Sequence, residues 1–183
     1  GGFLYFVMPF VEGETLRDRL AREKQLPLED ALHVARGVAD ALAHAHRLGI
    51  VHRDIKPENI LLQAGHPVVS DFGIASAVQA ATKVKDKLTD PGFAVGTPAY
   101  MSPEQSVGDV VDARSDVYSL GCVLYEMLAG DPPFTGATAQ AIQARKVMDT
   151  VPRLRTVRES VPEGVEGAIR TALARVPADR YAS

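Results

Sequence analysis

His52-Arg53-Asp54-Ile55-Lys56-Pro57-Glu58-Asn59, followed by Asp71-Phe72-Gly73, is the stretch on which the reading of this chain turns. Asp54, Asn59 and Asp71 bring acidic or amide oxygens and Lys56 brings a cation, a set able to steer a proton and to bind a metal ion. Taken one at a time, each residue has a plain structural reading: Asp54 caps a turn and Lys56 is a solvated surface charge. The ordered combination is far more specific than its parts. Between the two clusters, Ile60-Leu61-Leu62 and Pro67-Val68-Val69 read as the strands of a small hairpin.

Upstream, Phe3 to Met8 is an apolar run without helical period and reads as a buried strand, broken by Pro9-Phe10-Val11-Glu12-Gly13 into an extended linker. Thr15-Leu16-Arg17-Asp18 has the form of a capping box and starts a short helix. A longer helix follows, with Pro27 in its first turn and Glu29 and Asp30 at its positive end. Leu28, Ala31, Leu32, Ala35, Val38, Ala39 and Leu42 make one apolar stripe at helical spacing, and Gly49 closes the helix. His44 and His46 lie two apart on it, hence on different faces, and read as structural rather than as a metal pair. Downstream, residues 74 to 101 show little periodicity, as functional or mobile segments do. Asp112 to Leu128 is a richly apolar and therefore central helix, ended by Gly130. Further helices are expected over Thr138 to Met148 and Glu163 to Ala174.

A chain of 183 residues supports one core, burying roughly 70% of its unfolded surface. Its formal net charge of -3 argues against a nucleic-acid partner, which calls for a basic face. Cys122 is alone, so no disulfide forms within the chain, and its apolar neighbours make it a core thiol. No secretory leader is apparent and no apolar run reaches bilayer length, so no membrane contact is expected within these residues. A cytoplasmic location is expected, with an anchor elsewhere in a longer protein left open.

The two motifs resemble the catalytic loop and metal-binding motif of eukaryotic-type protein kinases, and the resemblance runs along essentially the whole chain. Gly96-Thr97-Pro98-Ala99-Tyr100-Met101-Ser102-Pro103-Glu104 is similar to the segment that ends the activation loop and holds the substrate, with Ser102 in place of the more familiar alanine. Asp116-Val117-Tyr118-Ser119-Leu120-Gly121 is similar to the helix that supports the catalytic loop, Tyr118 replacing the tryptophan of many relatives. Pro177-Ala178-Asp179-Arg180 is similar to the late motif whose arginine pairs with a glutamate, here Glu104, and Glu104, Asp116 and Arg180 are then structural. The phrasing of residues 101 to 105 and 111 to 121 looks most like bacterial members. The implied fold is α+β and mainly helical: the large C-terminal lobe of a protein kinase (residues 13–183), preceded by the last strand of the small lobe and the hinge (residues 1–12).

The resemblance also implies roles, following the general scheme of phosphoryl transfer in that family. Asp54 is the general base toward an attacking hydroxyl, Lys56 neutralises charge on the moving phosphate, and Asn59 and Asp71 hold magnesium with ATP. Lys56 accompanies serine/threonine specificity, and the Thr97 hydroxyl bonds toward Asp54 and Lys56. Met8 is the gatekeeper beside adenine, the Pro9 carbonyl and Val11 backbone meet its edge, and Leu61 packs under the purine; Met8 and Leu61 also read as plain core. Two readings of Glu58 stand side by side, attraction of basic residues upstream of the phosphorylated hydroxyl and a solvated loop charge. Thr89 is the regulatory site, its phosphate ordered by Arg53.

The expected function is a serine/threonine protein kinase acting on protein substrates, with self-association for autophosphorylation as a further partner. The Gly-rich loop and phosphate-gripping lysine of the family are not among these residues, so the piece alone is expected to be inactive. A pseudokinase or regulatory scaffold is the alternative from another class, opposed by intact Asp54 and Asp71. A small-molecule kinase is disfavoured by the peptide platform at Gly96 to Glu104.

Overall fold

The structure, a computed structural model, describes residues 12–72 and 98–183. The strand expected over Phe3 to Met8 lies outside them. Thr15 opens the first helix through a reciprocal cap: its hydroxyl accepts from the Asp18 N–H at 3.1 Å, and the Asp18 carboxylate takes the Thr15 N–H at 3.2 Å. Helix α1 then runs Leu16–Glu23 and α2 runs Leu28–Arg47. Pro27 sits one position before the first turn of α2 rather than in it. Its ψ of 144° is extended, while its carbonyl takes the Ala31 N–H at 3.0 Å and so starts the ladder from outside. Gly49, at φ 75°, donates to the His46 carbonyl at 2.9 Å and closes α2 in the left-handed conformation that glycine adopts cheaply.

The buried face of α2 comprises Ala31, Val34, Ala35, Val38, Leu42 and Ala45. Leu32 and Ala39 fall at its margin, about 80–100° around the helix from Ala31. Ala39 is exposed and Leu32 half-buried, and both line an apolar groove with Leu120, Leu124 and Ile169.

Three short antiparallel strands form a sheet in the order β1 (Glu14–Thr15), β2 (Ile60–Gln63), β3 (His66–Val69), with Thr15 opposite Leu61 and Leu61 opposite Val68. The β2–β3 hairpin is the one read from the sequence; β1 is too short to carry a periodic signal. Alternation turns Ile60 and Leu62 into the core and leaves Leu61 half-buried on the other face. The hairpin rests on α2 where Gly37 lets the chains approach: a Cβ there would stand 2.4 Å from Pro67 Cγ.

After residue 98 a turn leads into α3 (Pro103–Val107), whose Ser102 cap is reciprocated by Gln105. Helix α4 (Ala113–Ala129) is capped by Asp112 and stopped by Gly130 at φ 94°. Thr138 caps α5 (Ala139–Met148), and α6 (Leu154–Val157) and α7 (Glu163–Ala172) complete the helices. Helix α7 stops short of Ala174 because its final N–H groups tighten, Ala174 bonding Thr171 at 3.1 Å. Helix α4 packs on α2 and α7 and is buried on several faces, which is why its sequence is apolar without a clean stripe. Cys122 is fully buried there, and burial pushes its thiol up to about 12, an inert core sulfur.

The hairpin turn holds Ala64 and Gly65 at φ 49° and 84°. A non-glycine residue at left-handed φ is strained by roughly 1 kcal/mol, and asparagine tolerates it better. Ala64→Asn should therefore stabilise the full-length protein by about 0.5 kcal/mol; an unchanged or lower unfolding midpoint would show the turn is not strained.

Candidate active site

The loop from Val51 to Lys56 has no regular structure, and its shape is imposed by α4. Asp116, fully buried, accepts the His52 N–H on Oδ2 and the Arg53 N–H on Oδ1, each at 2.8 Å. His46 of α2 adds its Nε2 to the same Oδ2 at 2.8 Å and bonds Ser183 Oγ through Nδ1. These bonds hold Arg53 at φ 71°, a conformation a non-glycine residue keeps only when its surroundings dictate it. The fully buried His52 ring bonds the Ser70 carbonyl at 2.8 Å and meets the Phe72 ring edge-on at 4.7 Å.

Asp54, Lys56 and Asn59 meet in this loop. Lys56 Nζ stands 2.7 Å from Asp54 Oδ2. Asn59 Nδ2 donates to the same oxygen at 3.1 Å and to the Asp54 carbonyl at 2.8 Å. Pro57–Asn59 forms one 3₁₀ turn, which brings the amide back over the aspartate. Asp71 comes to the same end of the hairpin: Ser70 N–H bonds the Asn59 carbonyl at 2.9 Å, and Asp71 follows at φ 63°, left-handed like Arg53. The donor set suits magnesium, which takes few protein oxygens and completes its shell with phosphate and water. Asn59 spends its amide nitrogen on Asp54, so its oxygen is the atom left for a cation, and Asp71 adds a carboxylate.

Glu58 is exposed and accepts Arg17 Nε at 2.8 Å. Arg17 continues to Glu126 Oε1 at 2.8 Å and to the Tyr100 hydroxyl, which itself donates to Glu126 Oε2 at 2.5 Å. This network joins α1, the loop, the turn at 98–100 and α4. Nothing in the sequence singles out Arg17, Tyr100 or Glu126 for it; a carboxylate late in the apolar α4, far from Asp116, is the available signal. His46, structural as the sequence implies, stands one turn beyond Leu42 on the inward face of α2, where it meets Asp116.

Arg180 grips Glu104 with two parallel bonds of 2.7 and 2.9 Å, and donates to the carbonyls of Ala174, Arg114 and Arg175. Its guanidinium lies 4.9 Å from the Tyr118 ring centroid. Met8, Pro9, Val11, Gly73, Thr89 and Thr97, named from the sequence, lie outside the described residues. Leu61 lies on the open face of β2.

The chain belongs to the protein kinase domain family, which matches residues 2–182. It is 42% identical over 183 residues to serine/threonine-protein kinase PknB of Mycobacterium leprae and 44% identical over 179 residues to serine/threonine-protein kinase PknL of Mycobacterium tuberculosis. These alignments cover 99% and 97% of this chain but 29% and 44% of the relatives, so the chain spans less than half of either protein. The crystal structure of a point mutant of the Mycobacterium tuberculosis PknI kinase domain superposes with a TM-score of 0.69 at 30% identity, covering 95% of this chain and 58% of that one. The mainly helical kinase architecture read from the sequence is thus the fold. Among the described residues no helix is long and apolar enough to cross a membrane.

Burial alone would raise the Glu104 carboxyl, but bonds from Arg180 and Ser115 outweigh it and hold the pKa at about 2, against 4.5 ordinarily. The unfolded chain therefore takes up this proton first as pH falls. The stability the pair contributes is complete above about pH 4.5 and drains away toward pH 2. Glu104→Gln should flatten that acid limb while lowering stability at neutral pH; denaturant titrations across the range check it, and an unaltered limb would rule Glu104 out as its source.

Proposed function

We propose that the protein carrying this chain is a serine/threonine protein kinase, moving the γ-phosphate of ATP to serine or threonine hydroxyls of proteins. The observation that carries this is the meeting of Asp54, Lys56 and Asn59 on one loop whose backbone is pinned to α4. The names of the relatives, serine/threonine-protein kinases, support the same reading.

In this reading the Asp54 carboxylate takes the proton of the substrate hydroxyl as its oxygen bonds to the γ-phosphorus and the bond to the ADP oxygen breaks. Lys56 sits beside Asp54, where its ammonium offsets negative charge on the transferring group. Asn59 and Asp71 would hold the magnesium that accompanies ATP, which when bound neutralises phosphate charge. Residues 1–12 serve as closing strand and hinge, with Met8, Pro9 and Val11 at the adenine and Leu61 beneath it; residues 13–183 form the large lobe. Thr97 orients Asp54 and Lys56, and the reaction takes place in the cytoplasm, where ATP is supplied. Autophosphorylation through self-association gives Thr89 a phosphate that Arg53 binds, ordering the segment before the peptide platform.

Radiolabel transfer from magnesium-ATP by the full-length protein should appear on serine or threonine and fall at least about a thousandfold in Asp54→Asn. Equal labelling by both proteins would remove Asp54 from the mechanism. Phosphopeptide mapping of the active protein should find Thr89 modified, and an unmodified 74–95 segment would end the regulatory reading.

A further inference from the structure

Lys146 has no place in the chemistry above, yet it is 1% exposed, the most deeply buried lysine among the described residues. It projects from α5 into the core and donates to the carbonyl of Pro98 and the carbonyl of Met101, both at 2.6 Å. No carboxylate among the described residues lies within ion-pair distance of it. Its compensation is the pair of carbonyl dipoles and the face of the Tyr118 ring, whose centroid is 5.6 Å from Nζ. A buried ammonium without a counter-ion is costly, and burial depresses its pKa. Neutral lysine still has two N–H donors, so both carbonyls remain satisfied in either state.

The two carbonyls bracket one turn, residues 98–101. The same turn is fixed from α4 by Ser119 Oγ, which bonds the Tyr100 carbonyl at 2.9 Å. It passes directly into the Ser102 cap, where Gln105 both reciprocates the cap and donates to the Arg53 carbonyl at 2.8 Å. A continuous path of bonds therefore runs from Lys146 through the turn to the backbone of the residue before Asp54.

We propose that Lys146 is a substrate-positioning residue: it clamps the 98–101 turn to α5 and so sets the distance between the peptide platform and the catalytic loop. The inference rests on the kinase reading and assigns that site a further specificity determinant, outside the loop and acting through backbone. Its effect belongs to the bound peptide and not to ATP, because the clamp touches only the platform side of the loop.

The experiment uses the full-length protein, a serine- or threonine-containing peptide that the native enzyme phosphorylates, and the variants Lys146→Met and Lys146→Gln. Methionine keeps the unbranched stem over Tyr118 and removes both donors; glutamine keeps an NH₂ group on a shorter stem. The KM for peptide should rise about tenfold in Lys146→Met and by less in Lys146→Gln, with the KM for ATP unchanged. A residue that served folding alone would lower kcat with the folded fraction and leave both KM values untouched. That result, or an equal rise for peptide and ATP, overturns the proposal. If the methionine variant does not fold, the peptide KM of Lys146→Gln decides by the same criterion. A native protein that phosphorylates no peptide brings down the kinase reading and this inference together, whereas native activity with an unmoved peptide KM in the variants brings down the inference alone.

Discussion

One buried carboxylate, Asp116, carries the geometry of the site. Inside an apolar helix a charge costs several kcal/mol unless it is hydrogen-bonded on every side. The donors that meet this need are two successive loop N–H groups, from His52 and Arg53, and the imidazole of His46. The requirement works in both directions. The loop cannot leave without stranding the carboxylate, and Arg53 cannot relax from its left-handed conformation without giving up its bond. Asp54 follows immediately, so the position of the proposed base is referred to the most buried helix of the fold rather than to the loop's own flexible backbone.

The turn at 98–101 and the elements beside it are tied to the same helix at separate points. Glu126 receives Tyr100 and Arg17, Ser119 donates to the Tyr100 carbonyl, and Tyr118 lies against two cations, Lys146 and Arg180. These ties are spread along α4, which makes that helix the common frame for the loop, the 98–101 turn and Arg180. Its composition follows from this. An ordinary amphipathic helix has a solvent face for its polar residues, whereas α4 buries Ser115, Asp116, Ser119 and Glu126 because each has a partner in a neighbouring element.

What was legible in the sequence and what was not separate along physical lines. Asp54, Lys56 and Asn59 lie within a few residues of each other in the chain, so their order alone implied their meeting. Helix ends are equally local: the cap at Thr15 and the stop at Gly130 were read directly, and the starts placed at Asp112 and Thr138 fell one residue before the helices those side chains cap. Pro27 escaped because its ring fits either side of a helix start, and Ala39 because a stripe's edge depends on what packs beside it. Lys146, Arg17 and Glu126 were out of reach for a deeper reason. A charged residue reads as surface until its partners are known, and those partners, Pro98, Tyr100 and Met101 among them, are distant in sequence. Glu58 keeps both of its readings: its pair with Arg17 is partly exposed, and an exposed pair of this kind is worth about 1 kcal/mol, an interaction that a substrate's basic group could replace.

The arrangement around Asp54 narrows the mechanism by one further atom. Oδ2 already accepts from both Lys56 and Asn59, and a carboxylate oxygen offers about two lone-pair positions. A third donor at Oδ2 would have to displace one of these, and on the proposed reading losing Lys56 would remove the cation that faces the transferring phosphate. Oδ1 has no donor among the described residues. On the proposed kinase reading, the proton of the attacking hydroxyl is received at Oδ1, with Lys56 and Asn59 fixing the rotation of the carboxylate that presents it. The division of labour explains why an amide stands at position 59: it donates to Asp54 through nitrogen while its oxygen stays available to a metal ion, two tasks that a carboxylate in its place cannot combine.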